Sequence, residues 1–140
     1  MATIDEAIKA ALTAQIEALE LTDDPPIAWP NEHFEAPNPP APYIDVDFIP
    51  NRNTRLVLGS APHLRQGILQ LTVKVPINTG TETADELAGS IAEQFPADLT
   101  LFEDDIKVRI QQAPDVLPGS KSANSVWWET VVSIRYESLS

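Results

Sequence analysis

Cysteine is absent from the 140-residue chain. That excludes disulfides, thiolate nucleophiles and cysteine-based zinc sites. Histidine occurs only at His33 and His63, each in a proline-rich stretch, so an imidazole-built metal centre lacks ligands. No run of about eighteen apolar residues is present to span a bilayer. The first helical stretch also lacks the basic start and continuous apolar centre of a signal peptide. The expected setting is the cytoplasm, or a particle assembled there, with no membrane partner. Positive charge is scarce: 9 lysines and arginines face 21 aspartates and glutamates, for a formal net charge of −12 and a pI near 4.3. Such a surface repels phosphate and argues against a sequence-reading nucleic-acid binder.

What is present suits one α+β domain over residues 1–140, since 43% hydrophobic composition at this length supports a single core. Thr3 and Glu6 have the spacing of a capping box, and Ile4, Ile8, Leu12, Ile16 and Leu19 follow at helical intervals, predicting a helix over 3–20. "LTDDPP" stops it, because proline cannot donate to the helical ladder and disfavours helical geometry in the residue before it. Residues 25–50 hold eight of the thirteen prolines, so 21–42 reads as a stiff, extended connection with a short strand possible at "IAW".

Alternation then takes over. Ile44, Val46 and Phe48 share one face of a strand, and Leu69, Leu71, Val73 and Val75 one face of a second, giving half-buried strands within 43–75. Thr83 and Glu86 form a second capping-box pattern, with Leu87, Ile91 and Phe95 as the stripe of a helix over 81–95 that packs on the apolar sheet face. The strands of 98–137 complete the domain. Ile106, Val108 and Ile110 point inward in one strand, and Val126, Trp128, Thr130, Val132, Ile134 and Tyr136 share a face of the last. Residues 113–125, rich in proline, glycine and serine, read as a long mobile hairpin tip. The whole is a mixed, mainly antiparallel sheet with two helices on one face.

Motifs that carry chemistry are few. Asp45 and Asp47 project from one strand face and would suit a magnesium ion, but no glycine-rich phosphate loop accompanies them, so a solvated face is the expected reading. Glu103, Asp104 and Asp105 lack the ligand spacing of a calcium loop and read as a turn. Ser60 lies too near His63 in sequence for a built triad, and no G-x-S-x-G elbow exists. No catalytic, cofactor or metal residue is expected. A small metal-dependent enzyme using Asp45, Asp47 and one of Glu103 to Asp105, and a monomeric binding module, are the readings of a different class.

The tryptophans raise a different question. Trp127 and Trp128 are adjacent on a strand, so one ring leaves the core face and needs a helix, the proline loop or another subunit to cover it. Trp29 has the same two destinations, its own domain or a neighbour.

The stretches "PPIAWPNEHFEAPNPPAPYIDVDFIP", "GILQLTVKVPINTGTETADELAGSIAEQF" and "VWWETVVSIRY", taken in order, resemble the phage tail-terminator-like family over about residues 4–136. The resemblance implies a structural virion protein at the head-proximal end of the tail. It would be a homohexameric ring that caps the tail tube, stops its polymerisation and offers the joining surface for the head-tail connector. A neck or head-completion protein is the near alternative. It also implies an interface role for Trp29, Phe34, Tyr43 and Trp127, for Arg55, Leu56, Leu58, His63 and Leu64 in the 50–66 loop, and for Val116, Leu117 and Lys121 in the 113–125 tip. Acidity then has a use, since DNA passing through a negatively charged lumen does not adhere.

Overall fold

A computed structural model describes residues 4–35, 41–50, 54–55, 63–103, 105–122 and 126–139. Helix α1 spans Ile4–Glu17. Its inward stripe of Ala7, Ile8, Ala11, Leu12 and Ile16 is buried. The helix closes short of residue 20 as Ala18 shares its N–H between Ala14 O and Gln15 O and Leu19 donates to Ile16 O, tightening the last turn toward i to i+3 bonds. Asp23 and Asp24 then take φ of 63° and 41°, a left-handed pair that turns the chain into Pro25 and Pro26.

Strand β1 (Ile27–Ala28) runs parallel to β2 (Tyr43–Pro50). The other pairings are antiparallel. β3 (Thr54–Arg55) folds onto the start of β4 (His63–Pro76). Helix α2 follows (Glu82–Glu93), then β5 (Thr100–Glu103), β6 (Ile106–Ile110), β7 (Asp115–Val116), β8 (Ser120–Lys121) and β9 (Trp127–Leu139). Strand order across the curled sheet is β1-β2-β4-β9-β6-β5 among the described residues.

Both helices pack on one face of that sheet. Leu12, Ile16, Leu87, Ile91 and Phe95 join Ile44, Leu69, Leu71, Val73, Val108, Ile110, Val132 and Ile134 in one core. The alternation read from β2, β4 and β6 therefore assigns the correct face to each of these residues. One clamp ties the helix ends together. The Gln94 side-chain amide donates to Glu20 O and its carbonyl accepts from Glu20 N, both at 2.9 Å, while Gln15 Nε2 reaches Gln94 O at 2.9 Å.

Three expectations need correcting. First, Thr83 and Glu86 do not cap α2. Thr81 is the N-cap residue and makes no side-chain cap bond. Gly80, at φ 84°, reverses the chain two residues earlier than the pattern implied. Glu82 and Asp85 then occupy the first turn, where the helix dipole favours them. Glu86 instead accepts a hydrogen bond from the Thr22 hydroxyl at 3.1 Å.

Second, the described part of 113–125 is not a projecting tip. On β9, β6 reaches only the C-terminal end, at Arg109 and Ile110, which leaves the rest of that edge to other segments. β7 and β8 lie along it, and Gln111, Leu117 and Ser122 donate to Arg135, Val131 and Trp127. The register slips as they do so: Ile110 faces Tyr136, Asp115 faces Ser133, and Ser120 faces Glu129. Extra residues bulge at 111–114 and 117–119. Gly119 is required in the second bulge, because any β-carbon there would run into the Trp128 ring.

Third, Val126 does not join the Trp128 face. It precedes β9, its carbonyl accepts from Ile77 N, and it remains 41% exposed.

Candidate interaction surface

On the sheet face without helices, each strand presents the residues that alternate with the core set. Lys74 of β4 lies between Asp45 of β2 and Glu129 of β9, at 3.9 and 3.0 Å. Burial works against the Lys74 charge, but the Glu129 hydrogen bond, with Tyr43, Glu129 and Asp45 nearby, holds its pKa above the ordinary lysine value. Asp45 is pushed up, by burial first, with Lys74 opposing and Asp47 and Glu129 adding to the rise. On the other side of β9, Arg109 pairs with Asp98 at 2.6 Å and with Glu137. Both carboxylates raise the guanidinium pKa. Lys74 and Arg109 thus serve as cross-strand ties, each between two carboxylates.

The residues expected at an interface fall into separate places. Tyr43 and Trp127 are 8% and 7% exposed, with ring centroids 5.0 Å apart in an edge arrangement. Phe34, carried in by the proline segment, stacks on Tyr43 at 4.9 Å. Trp127 and Tyr43 thus form a small second cluster with Ala28, against which Phe34 packs. Trp29 is half-buried against the core and, with Pro30, Phe48, Lys9, Glu17 and Glu32, borders an open groove of about 500 Å³. Arg55 and His63 face each other on the β3–β4 hairpin, with Leu64 opposite Thr54. Leu56 and Leu58 lie outside the described residues. Val116 and Leu117 on the β7 edge are 46% and 44% exposed, and Lys121 on β8 is exposed.

Sequence reasoning missed Phe102. It is 69% exposed on β5, the last strand of the sheet, opposite Lys107 of β6. The signal was present in "LTLF": Leu99 and Leu101 pack on the core, so strict alternation sends Phe102 to the side of Thr100. Among the described residues, no cluster of His, Asp and Glu is grouped to hold a metal ion, and no helix is long and apolar enough to cross a membrane. Among the described residues, the built features are sheet edges without a pairing strand, an aromatic-walled groove and charge ties.

This architecture has a solved counterpart in a class of small α+β domains. One such structure matches with a TM-score of 0.77 and 22% sequence identity, covering 96% of this chain and 94% of that one, which shows the fold. No curated protein sequence matches the chain. The family model described as "Phage tail terminator protein" matches residues 7–136, nearly the whole length, and the chain belongs to that family. It is a structural protein of the phage tail, located in the virion and associated with other tail proteins.

Proposed function

We propose that the chain is the terminator subunit itself. Copies close into a ring, six by the family resemblance, which docks on the last ring of the tail tube, ends its polymerisation and gives the head-tail connector a surface to join. The observation that carries this reading is the family match across residues 7–136. The outer edges of the sheet, which pair with no strand among the described residues, support it, because such an edge is available for pairing between subunits. Contacts that are heterologous and close at a fixed rotation give a ring rather than a fibre.

The β3–β4 hairpin with Arg55, His63 and Leu64, its 56–62 connection with Leu56 and Leu58, and the β7–β8 edge with Val116, Leu117 and Lys121 are the proposed contacts with tube and connector. Assembly takes place in the host cytoplasm. With a net charge of −12 per copy, the lumen repels passing DNA; a neutral or basic lumen in a ring structure would overturn that part.

The test is absolute mass by light scattering after size exclusion, with and without the tail-tube protein. A mass near six subunits under either condition is expected. A strict 15.3 kDa monomer that ignores the tube protein would reject the proposal. Electron microscopy of particles made without the chain supplies the functional arm, with tubes of uncontrolled length and no joined heads as the expected result.

A further inference from the structure

Two side-chain polar atoms are closed off from solvent with no hydrogen-bond partner among the described residues: the indole Nε1 of Trp128 and the hydroxyl Oγ1 of Thr130. They stand two residues apart on β9, so strand alternation sends both side chains to the helix side of the sheet. Thr130 is 1% exposed, and Trp128 packs against the core. The side chains around them are apolar. Val75 and Val73 face them from β4, Val132 follows on the same side of β9, and α2 buries Ala84, Leu87 and Ala88 on that side of the sheet.

Gly119 brings the two atoms together. It precedes Ser120, which faces Glu129, and so stands beside Thr130 across the β8–β9 edge. A β-carbon on Gly119 would strike Nε1 of Trp128 before any other atom, so the indole leans diagonally over the glycine and carries its N–H toward Thr130. Cross-strand neighbours on one sheet face have β-carbons about 4.5–5.5 Å apart. One water spans such a gap with two hydrogen bonds of about 2.9 Å each.

From this pairing we infer that a single water molecule binds between Trp128 and Thr130. It accepts from the indole N–H and donates to the threonine hydroxyl oxygen. Buried waters serve polar groups that the fold leaves unpaired, and leaving such groups bare costs their full desolvation. The site is also a clasp. None of residues 111–122 is fully buried, so the β7–β8 segment holds to β9 by its pairing and by the Trp128 ring beneath Gly119, and the water fixes that ring.

Thr130→Val, close in shape but without the hydroxyl, has opposite signs for a bridged and a bare pair. With the water bound, the substitution removes one of its partners and strands the indole N–H, and the equilibrium constant for unfolding is expected to rise about tenfold. With bare atoms, it would delete a desolvated hydroxyl, and a gain in stability would overturn the site. Trp128→Phe supplies a second arm that separates bridging from packing. In that background the Thr130→Val effect should shrink several-fold, and an undiminished effect would overturn the bridge.

A high-resolution crystal structure checks the water itself. Density within hydrogen-bond distance of both Nε1 and Oγ1 is expected; no density there, or a Thr130 hydroxyl bonded to a main-chain carbonyl, would overturn the proposal. The Leu117 and Ser122 amides, which donate to Val131 and Trp127, should exchange with deuterated water faster in Thr130→Val by about the same factor as the loss of stability. Unchanged exchange at both would overturn the clasp.

Discussion

The two faces of the sheet are made from the same strands and have different work. On the helix side, Leu69, Leu71, Val73, Val132 and Ile134 are fully buried. On the other side, Ile68, Gln70, Thr72, Lys74, Val131 and Ser133 are half-covered, and order comes from cross-strand ties such as Asp45–Lys74–Glu129. The first face draws on apolar burial, which is large and non-directional. The second relies on ion pairs near solvent, which contribute little stability and chiefly fix which groups face outward. Most of the apolar burial therefore lies on the helix side, with the smaller Tyr43–Trp127–Phe34 cluster on the other.

That contrast breaks most sharply at Leu71. Leu71→Ala should cost about 2–5 kcal/mol in chemical denaturation, because the buried site cannot collapse around the missing atoms. A loss below about 1 kcal/mol would mean that the helix side is not the main store of stability. Next in size is Gly67→Ala. Gly67 faces Tyr136 across β4 and β9, and a β-carbon there would enter space held by the Tyr136 ring and hydroxyl. The expected cost is about 1–3 kcal/mol from overpacking. Smaller, and opposite in sign, is Gly89→Ala on α2. A β-carbon there meets nothing within 4 Å, so a gain of about 0.5–1 kcal/mol in thermal or denaturant unfolding is expected from helix propensity and unfolded-state entropy.

The smallest effect concerns the ties, and pH reveals it. A raised folded-state pKa means that the fold favours protonated Asp45. Its contribution is most favourable below the ordinary aspartate value of 3.8 and is lost as pH rises through the folded value. Asp45→Asn should therefore be neutral to slightly stabilising at pH 7, with the difference from wild type vanishing as both are titrated into acid. Assembly should survive Asp45→Asn together with Asp47→Asn, whereas a metal-dependent enzyme would lose its metal. Lys74 runs in the alkaline direction. Its pKa is raised above 10.5, so what it contributes is present at neutral pH and lost as pH climbs through the raised value.

The core face was legible in the sequence because a strand's period of two leaves little choice once apolar residues alternate. Ile44, Leu71 and Val108 could be assigned without any knowledge of their partners. The pairing of 113–122 was not legible for the opposite reason. Pro114, Pro118 and Gly119 have the local signature of a loop, and only the unfilled edge of β9, a distant fact, turns that loop into β7 and β8. The start of α2 was misread because two threonines compete for the cap and Gly80 decides between them. The Gln94 clamp depends on a side chain bonding across 74 residues to Glu20, which no local pattern encodes. Among the exposed or half-buried aromatics, Trp29 and Phe34 stood out because they lie among prolines, while Phe102 was hidden in an ordinary strand.

The slipped register along β9 also sets two clocks in the molecule. Between β4 and β9 the pairing runs unbroken from Leu64–Leu139 to Pro76–Trp127, so those amides exchange with deuterated water only when much of the domain opens. On the far edge of the same strand, the amides of Leu117 and Ser122 are held by short paired stretches between bulges, and local opening releases them first. Hydrogen exchange should therefore resolve β9 into a slow side and a fast side, with neighbouring rows of one strand differing in lifetime by orders of magnitude.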